Sequence, residues 1–415
     1  MQQHQLPNGL TLYLQPNDGA PLVTLDAWVR VGSRDEPAEL AGISHFLEHM
    51  LFKGTERLHT GEYDRRIEAL GGYLNAATSA DYTHYYVIVP SENLDAAAVD
   101  LADVLQNSVI DEAEVEKERQ VILEEIRMKD DNPGGFLHDR VTRAMFASGP
   151  YAGTVIGSPQ TVAALTRPQL REHFERHYAP ENMAIVAVGN FDAERLRLRL
   201  EELLGGMRRR LRPWRDELPP TVFAPPASTE LERDWQQAYF YLAFPGPALE
   251  SLRQAAALSI AEAVLDGGRT SRLVNALVEK KRLATSISAS FPGHREPSFA
   301  AISGTCQAGD AARVEEAAME EVELLRRHGM RKGELARAKR QLLNAHLFAA
   351  ETNTGQASML GYSFALFGRP DFLVDYPAAI EAETEEEALA ALDVLDPATM
   401  SRFVTTPRAD ARAPR

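Results

Sequence analysis

The chain has 415 residues, 44% of them hydrophobic and 25% charged. That composition excludes disordered, collagen-like and fibrous classes, and the length points to two or three domains, since a single core rarely grows past about 250–300 residues. Lys and Arg number 44 against 60 Asp and Glu, a net charge of −16 that opposes nucleic-acid binding, and the single cysteine, Cys306, excludes an internal disulfide framework or a cysteine-based zinc cluster.

Residues 10–14 alternate, Asn17-Asp18-Gly19 signals a turn and residues 22–31 alternate again, which predicts a β-hairpin. A helix is expected over 39–53, stopped by Gly54. A short helix capped by Thr60 and ended by Gly71-Gly72 follows. Residues 83–89 read as a buried strand stopped by Pro90. Ser91 opens a helix to residue 107 and Asp111 opens another to residue 129. Ser158-Pro159 and Thr166-Arg167-Pro168 start helices, residues 183–188 form a strand, and Asp192 caps the helix after it. The basic run Arg208-Arg209-Arg210 and the nearby Pro213, Pro219, Pro220, Pro225 and Pro226 then predict an extended linker. Beyond it the order loosely repeats, with a strand at 237–244, helices at 252–265 and 271–281, strands at 285–291 and 299–306, and long helices over 311–349. Residues 408–415 read as a frayed tail. The expected division is therefore an N-terminal domain over 1–206, a linker over 207–230 and a C-terminal domain over 231–415, most simply a duplicated α+β domain. No window reaches the roughly 18 consecutive apolar residues of a membrane span. Residues 1–6 show no basic segment followed by an apolar one, so the expected compartment is the cytoplasm; a chain trimmed after a signal peptide, hence periplasmic, would read the same.

The most informative stretch is His45-Phe46-Leu47-Glu48-His49. Four residues apart on a helix, His45 and His49 project from one face and can grip one Zn²⁺. Glu48 lies about 60° from His45 around the axis, near enough to take a proton from a water on the metal without being a ligand, which is the chemistry of amide hydrolysis. A His pair beside Glu can also be a solvated helix face. Ile43, Phe46, Leu47, Met50 and Leu51 argue against that, because they make this helix apolar on most sides and unpartnered buried ionisable groups are costly. His173 and His177 share the spacing, but Glu175 falls about 200° round the helix, so this pair reads as structural. Zinc still needs a third protein ligand. The 112–129 helix offers Glu118 and Glu125, seven apart on one face, with Glu124 as a competitor that spacing does not exclude.

At this point the sequence resembles the pitrilysin/insulinase family of inverted zinc metallopeptidases, which includes mitochondrial processing peptidase. The resemblance is carried by the stretch from Gly42 through His45, Glu48 and His49 to Thr55, and by Gly71-Gly72-Tyr73-Leu74-Asn75-Ala76-Ala77-Thr78. Glu118-Arg119 through Glu124-Glu125-Ile126 and Tyr178-Ala179-Pro180-Glu181-Asn182-Met183 add to it. It implies two similar α+β domains, each an antiparallel or mixed sheet with helices packed on one side, arranged as half of a clamshell that encloses a chamber. It further implies one Zn²⁺ per chain held by His45, His49 and Glu125, Glu48 as general base, and Glu118 as the acid that orients a ligand histidine. Asn75, Ala76 and Ala77 would form an edge strand that takes peptide main chain by β-augmentation. Relatives carry an Arg and, seven residues later, a Tyr in the second half, where this chain has Val278 and Thr285. The helix equivalent to the metal helix, around Ala257-Leu258-Ser259-Ile260-Ala261, has no metal motif. The expected partners are thus peptide substrates and a homologous subunit that carries the Arg/Tyr pair, with this chain as the catalytic, mitochondrial-processing-peptidase-beta-like member. The competing expectations are a non-catalytic core subunit of a larger complex and a self-sufficient homodimeric peptidase in which a residue such as Arg282 substitutes.

Overall fold

The computed structural model describes residues 1–208, 218–249, 251–291, 293–370 and 372–408. Arg209, Arg210 and Pro213 of the expected linker, and residues 409–415 of the expected frayed tail, lie outside them. The chain divides into two compact units. The first is Met1–Arg127, Gly153–Pro219 and Phe348–Leu373; the second is Met128–Ala152, Pro220–Leu347 and Val374–Arg415. Each unit therefore contains a segment from the other half of the sequence, and the units do not coincide with the expected contiguous halves.

The first unit is built on a six-stranded mixed sheet in the order Gln2–Gln5, Thr11–Pro16, Met183–Gly189, Leu22–Val29, Thr83–Pro90, Tyr73–Thr78. The hairpin expected from 10–31 is not formed. Thr11–Pro16 pairs with Gln2–Gln5 on one side and, in parallel, with Met183–Gly189 on the other, and the latter separates it from Leu22–Val29. Met183–Gly189 is buried at every position, so it takes a central place with a neighbour on each edge. Alternation in the two outer segments fixed which face each residue shows and left the pairing partner open. One sheet face packs on the Ile43–Leu51, Leu94–Asn107 and Arg167–His177 helices through a core that includes Leu25, Val87, Phe46, Leu47, Leu101 and Leu170. The opposite face is covered by the Asn353–Phe367 helix, whose Leu360 and Phe364 pack on Tyr13, Trp28 and Val186. Gly361 permits this approach, since a Cβ there would fall on the Trp28 indole ring.

The second unit repeats the plan with a five-stranded sheet in the order Ala284–Ser290, Phe299–Cys306, Ala238–Pro245, Ser401–Pro407, Ser228–Arg233. As in the first sheet, all neighbours are antiparallel but one: Ser401–Pro407 and Ser228–Arg233 run parallel. The first half of Ser228–Arg233, up to Glu230, was expected as the end of the extended linker. The whole segment is an edge strand, the position where a nearby proline run is tolerated. Its second face carries the Pro133–Met145 helix, where Phe136 meets Trp235 and His138 meets Tyr241 and Phe299. Each sheet thus has helices on both faces, one more layer than expected. Among the described residues no helix is long and apolar enough to cross a membrane.

Candidate metal centre

The Ile43–Leu51 helix buries Ile43, Phe46, Leu47, Met50 and Leu51, which leaves His45, Glu48 and His49 together on its half-buried remaining face. Its N-terminus is fixed from outside the helix. The Glu36 carboxylate accepts the Gly42 N–H at 2.7 Å and the Ser44 N–H at 2.8 Å, satisfying donors that a helix start leaves open. Ser44 Oγ lies 3.0 Å from Nε2 of His173. His173 and His177 are both buried on the helix behind. Burial, with the neighbouring His177 and Arg176 charges, holds the His173 imidazole well below its usual value, so it is neutral.

The Glu112–Asp131 helix presents Val115, Ile122 and Ile126 to the core and carries Glu118 and Glu125 beside the two histidines. Oε2 of Glu125 lies 3.9 Å from Nε2 of His45 and 3.7 Å from Nε2 of His49, and ligand atoms of the three residues fall within 4.8 Å of one another. Glu124 points elsewhere: it is exposed and paired with Arg127 at 2.8 Å. Two imidazole nitrogens and one carboxylate oxygen form the donor set of a zinc centre with a position left for a water, so the residues present fit Zn²⁺. Among the described residues this is the one group with such an arrangement.

The surroundings orient these groups. Oε2 of Glu118 lies 3.1 Å from Nδ1 of His49, and its Oε1 accepts from the Lys53 ammonium at 2.7 Å. A proton on Nδ1 leaves the Nε2 lone pair directed at the Glu125 side. Burial works against charge on both partners. The bond to Glu118 and the carboxylates of Glu125 and Glu48 nevertheless hold His49 above its usual value, and the bonds to His49 and Lys53 hold Glu118 below the usual carboxylate range. Thr78 donates its hydroxyl to Oε2 of Glu48 at 2.5 Å. Burial raises the proton affinity of Glu48 against that bond and the charge of His49.

Thr78 ends the Tyr73–Thr78 strand, which contains Asn75, Ala76 and Ala77 and forms an edge of the first sheet. The Ala76 N–H is held by Oδ1 of its neighbour Asn75 at 2.8 Å. The structure therefore brings His45, Glu48, His49, Glu118 and Glu125 together and sets the Asn75–Ala77 edge next to them through Thr78. Thr78 and Lys53 sit inside the two motif stretches, yet their contacts were not foreseen; Lys53 follows His49 by four residues, the one spacing signal that could have found it. Nothing in the sequence marks Glu36. In the second unit, Val278 lies on the wide π-helical turns of Val274–Lys280, half-buried against that unit's core, and Thr285 is exposed on the edge strand Ala284–Ser290.

Comparison with known proteins agrees with this arrangement. Residues 12–158 match the family described as insulinase (peptidase family M16), and residues 164–342 match the M16 inactive domain. An uncharacterized zinc protease of Streptomyces coelicolor is 31% identical over 94% of this chain and 86% of its own length. One from Mycobacterium leprae is 33% identical over 88% and 82%. Among solved structures, a protease from Helicobacter pylori superposes with a TM-score of 0.92 at 23% identity, covering 98% of this chain and 99% of its own. The peptidase M16 inactive domain from Pseudomonas fluorescens does so at 0.89 and 18%, covering 98% of both. At those identities the structural likeness speaks for the fold, while the sequence relatives, the two domain matches and the His-His-Glu group together make this chain a member of the M16 (pitrilysin/insulinase) family.

Proposed function

We propose that the chain is a zinc-dependent endopeptidase acting on extended or unstructured peptides, and that it is the catalytic subunit of a heterodimer. The observation that carries the first part is the meeting of Glu125, from the Glu112–Asp131 helix, with His45, Glu48 and His49 on one face of the Ile43–Leu51 helix, next to an edge strand. Zn²⁺ held by His45, His49 and Glu125 would supply Lewis acidity and lower the pKa of a water beside it. Glu48, with Oε2 held by Thr78, has Oε1 free to accept a proton as general base and to pass it to the leaving amine. Glu118 keeps His49 in the tautomer that presents Nε2. The Tyr73–Thr78 edge offers main-chain groups to a peptide strand once the Asn75 side chain gives up the Ala76 N–H. Glu48→Gln should keep its zinc, read by atomic absorption, while kcat falls by at least about 10²–10⁴. Zinc lost from that variant would make Glu48 a ligand and overturn its role as base.

The heterodimer reading rests on Val278, which has no side-chain donor, and Thr285, whose hydroxyl is too short to stand where a Tyr hydroxyl would. Removing one donor to a developing oxyanion typically costs about 10²–10³ in rate. A homologous partner that carries the Arg/Tyr pair should raise kcat/KM by at least about two orders of magnitude; full activity of the single chain, unchanged by the partner, favours a homodimer instead. A non-catalytic core subunit is the second reading, favoured by the inactive-domain match and by a chain of Complex III2 from Candida albicans that superposes at a TM-score of 0.82 with 18% identity. Purified protein that holds no zinc would support it.

A further inference from the structure

Along the Tyr73–Thr78 edge strand, Leu74, Ala76 and Thr78 share the face of Glu48, while Tyr73, Asn75 and Ala77 stand on the opposite face, opposite Ile88, Tyr86 and His84 of the neighbouring strand. That opposite face carries a row of rings for which the chemistry above has no use. Trp28 stacks on His84 with centroids 4.3 Å apart and 27° between planes. His84 stacks on Tyr86 at 5.7 Å and 20°, and Tyr86 meets Tyr73 at 6.2 Å and 51°. The Asp26 carboxylate, 3.1 Å from Nδ1 of His84, sets the imidazole plane, and the Asn75 amide donates to the Tyr73 hydroxyl at 3.1 Å. The row begins at buried Trp28 and ends at Tyr73, which is 54% exposed on the open edge. Edge strands are commonly blunted with charge or proline; this one ends in a large ring already fixed by its neighbours, and such a ring loses little freedom when a ligand lies on it.

We propose that Tyr73 is a specificity-determining shelf for a peptide added to this edge, taking a planar side chain, aromatic or guanidinium, on the face turned away from the metal. The inference rests on the peptidase reading and deepens it by naming a substrate preference. Tyr73 lies five positions before Thr78, about 17 Å at roughly 3.4 Å per residue, so the side chain on the shelf lies several residues from the bond cleaved. Only alternate residues of the added strand reach that face. The chain's net charge of −16 adds to the attraction for a guanidinium.

The test uses unstructured alanine/serine peptides carrying one Arg, Lys, Phe or Leu, moved stepwise along both sides of the cleaved bond. Binding is read by fluorescence anisotropy on zinc-loaded Glu48→Gln chain, and cleavage with the native chain. Arg over Lys and Phe over Leu should each gain about two- to five-fold in affinity at one register, recurring with a period of two. Tyr73→Ala and the bulkier Tyr73→Leu should each bring those ratios to one, while Tyr73→Phe keeps them; ratios within one protein are insensitive to a loss of folded material. A flat profile, or a preference that survives Tyr73→Ala and Tyr73→Leu, overturns the shelf. Register-dependent binding without cleavage of any peptide, either by the native chain alone or with the homologous subunit that carries the Arg/Tyr pair added, supports the shelf and overturns the peptidase reading instead, whereas cleavage with no preference overturns the shelf alone.

Discussion

Replacing Glu118 by Gln keeps the size of the side chain and removes its charge. The native carboxylate accepts from two donors, Nδ1 of His49 at 3.1 Å and the Lys53 ammonium at 2.7 Å, and its side chain is only 9% exposed. An amide has one acceptor oxygen, so if that oxygen stays on His49 the amide NH₂ faces the ammonium, and if it turns to Lys53 the NH₂ faces the imidazole N–H. Either way His49 loses the charged partner that fixes its tautomer and raises its basicity toward a metal. Changes in partners of this kind cost about 10–100-fold in metal affinity, equivalent to about 1.4–2.7 kcal/mol. Competition against a chromophoric chelator at neutral pH measures the zinc Kd directly, and a thermal melt of the zinc-free protein reports any separate loss of folding. A zinc Kd within two-fold of the native value would refute the argument, because His49 would then need no carboxylate to present Nε2.

Glu125→Gln should lose most bound zinc, whereas Glu124→Gln, whose side chain pairs with Arg127 in solvent, should retain it by atomic absorption. Gly361→Ala should lower the melting temperature, with overpacking against Trp28 costing about 1–3 kcal/mol. Arg272→Met should destabilise the second unit by about 3–5 kcal/mol, because it strands Glu334, 5% exposed, without the guanidinium it now meets at 2.7 Å. Despite burial, the bonds to Arg272 and the Arg331 backbone hold Glu334 below its ordinary value of 4.5. Its stabilisation is therefore complete above pH 4.5 and lost as pH falls through the depressed value; denaturation curves of Arg272→Met should show a shallower acid limb.

The metal helix was legible because its apolar positions and its HxxEH pattern are both local, and Glu118 and Glu125 because they share a helix face. Spacing alone left Glu124 and Glu125 both open, since which one faces the histidines depends on how two helices are rotated against each other; the choice of Glu125 came from the family resemblance. Thr78 reaches Glu48 across thirty residues of sequence, a contact set by which sheet edge lies beside the helix. The false hairpin has the same origin: residues 11–16 and 22–29 carry correct strand patterns, and the strand between them comes from residue 183 onward. The Asn353–Phe367 helix escaped notice for the opposite reason. Its polar residues, Asn353, Thr354, Gln356, Ser358 and Ser363, are scattered around the helix among the apolar ones, so it lacks the one-sided periodicity that marks a surface helix.

That helix bears on synthesis. The last strand of the first sheet ends at Gly189, and the helix that covers its second face is complete only at Phe367, about 180 residues later. At roughly 5–20 residues per second, a ribosome takes about 10–40 s to make the difference. Through that interval Tyr13, Trp28 and Val186 lack their cover, and the nascent first unit offers chaperones an apolar sheet face. A gene cut at residue 206 would make that state permanent, and its product should fold only when the fragment carrying residues 353–367 is supplied in the same cell.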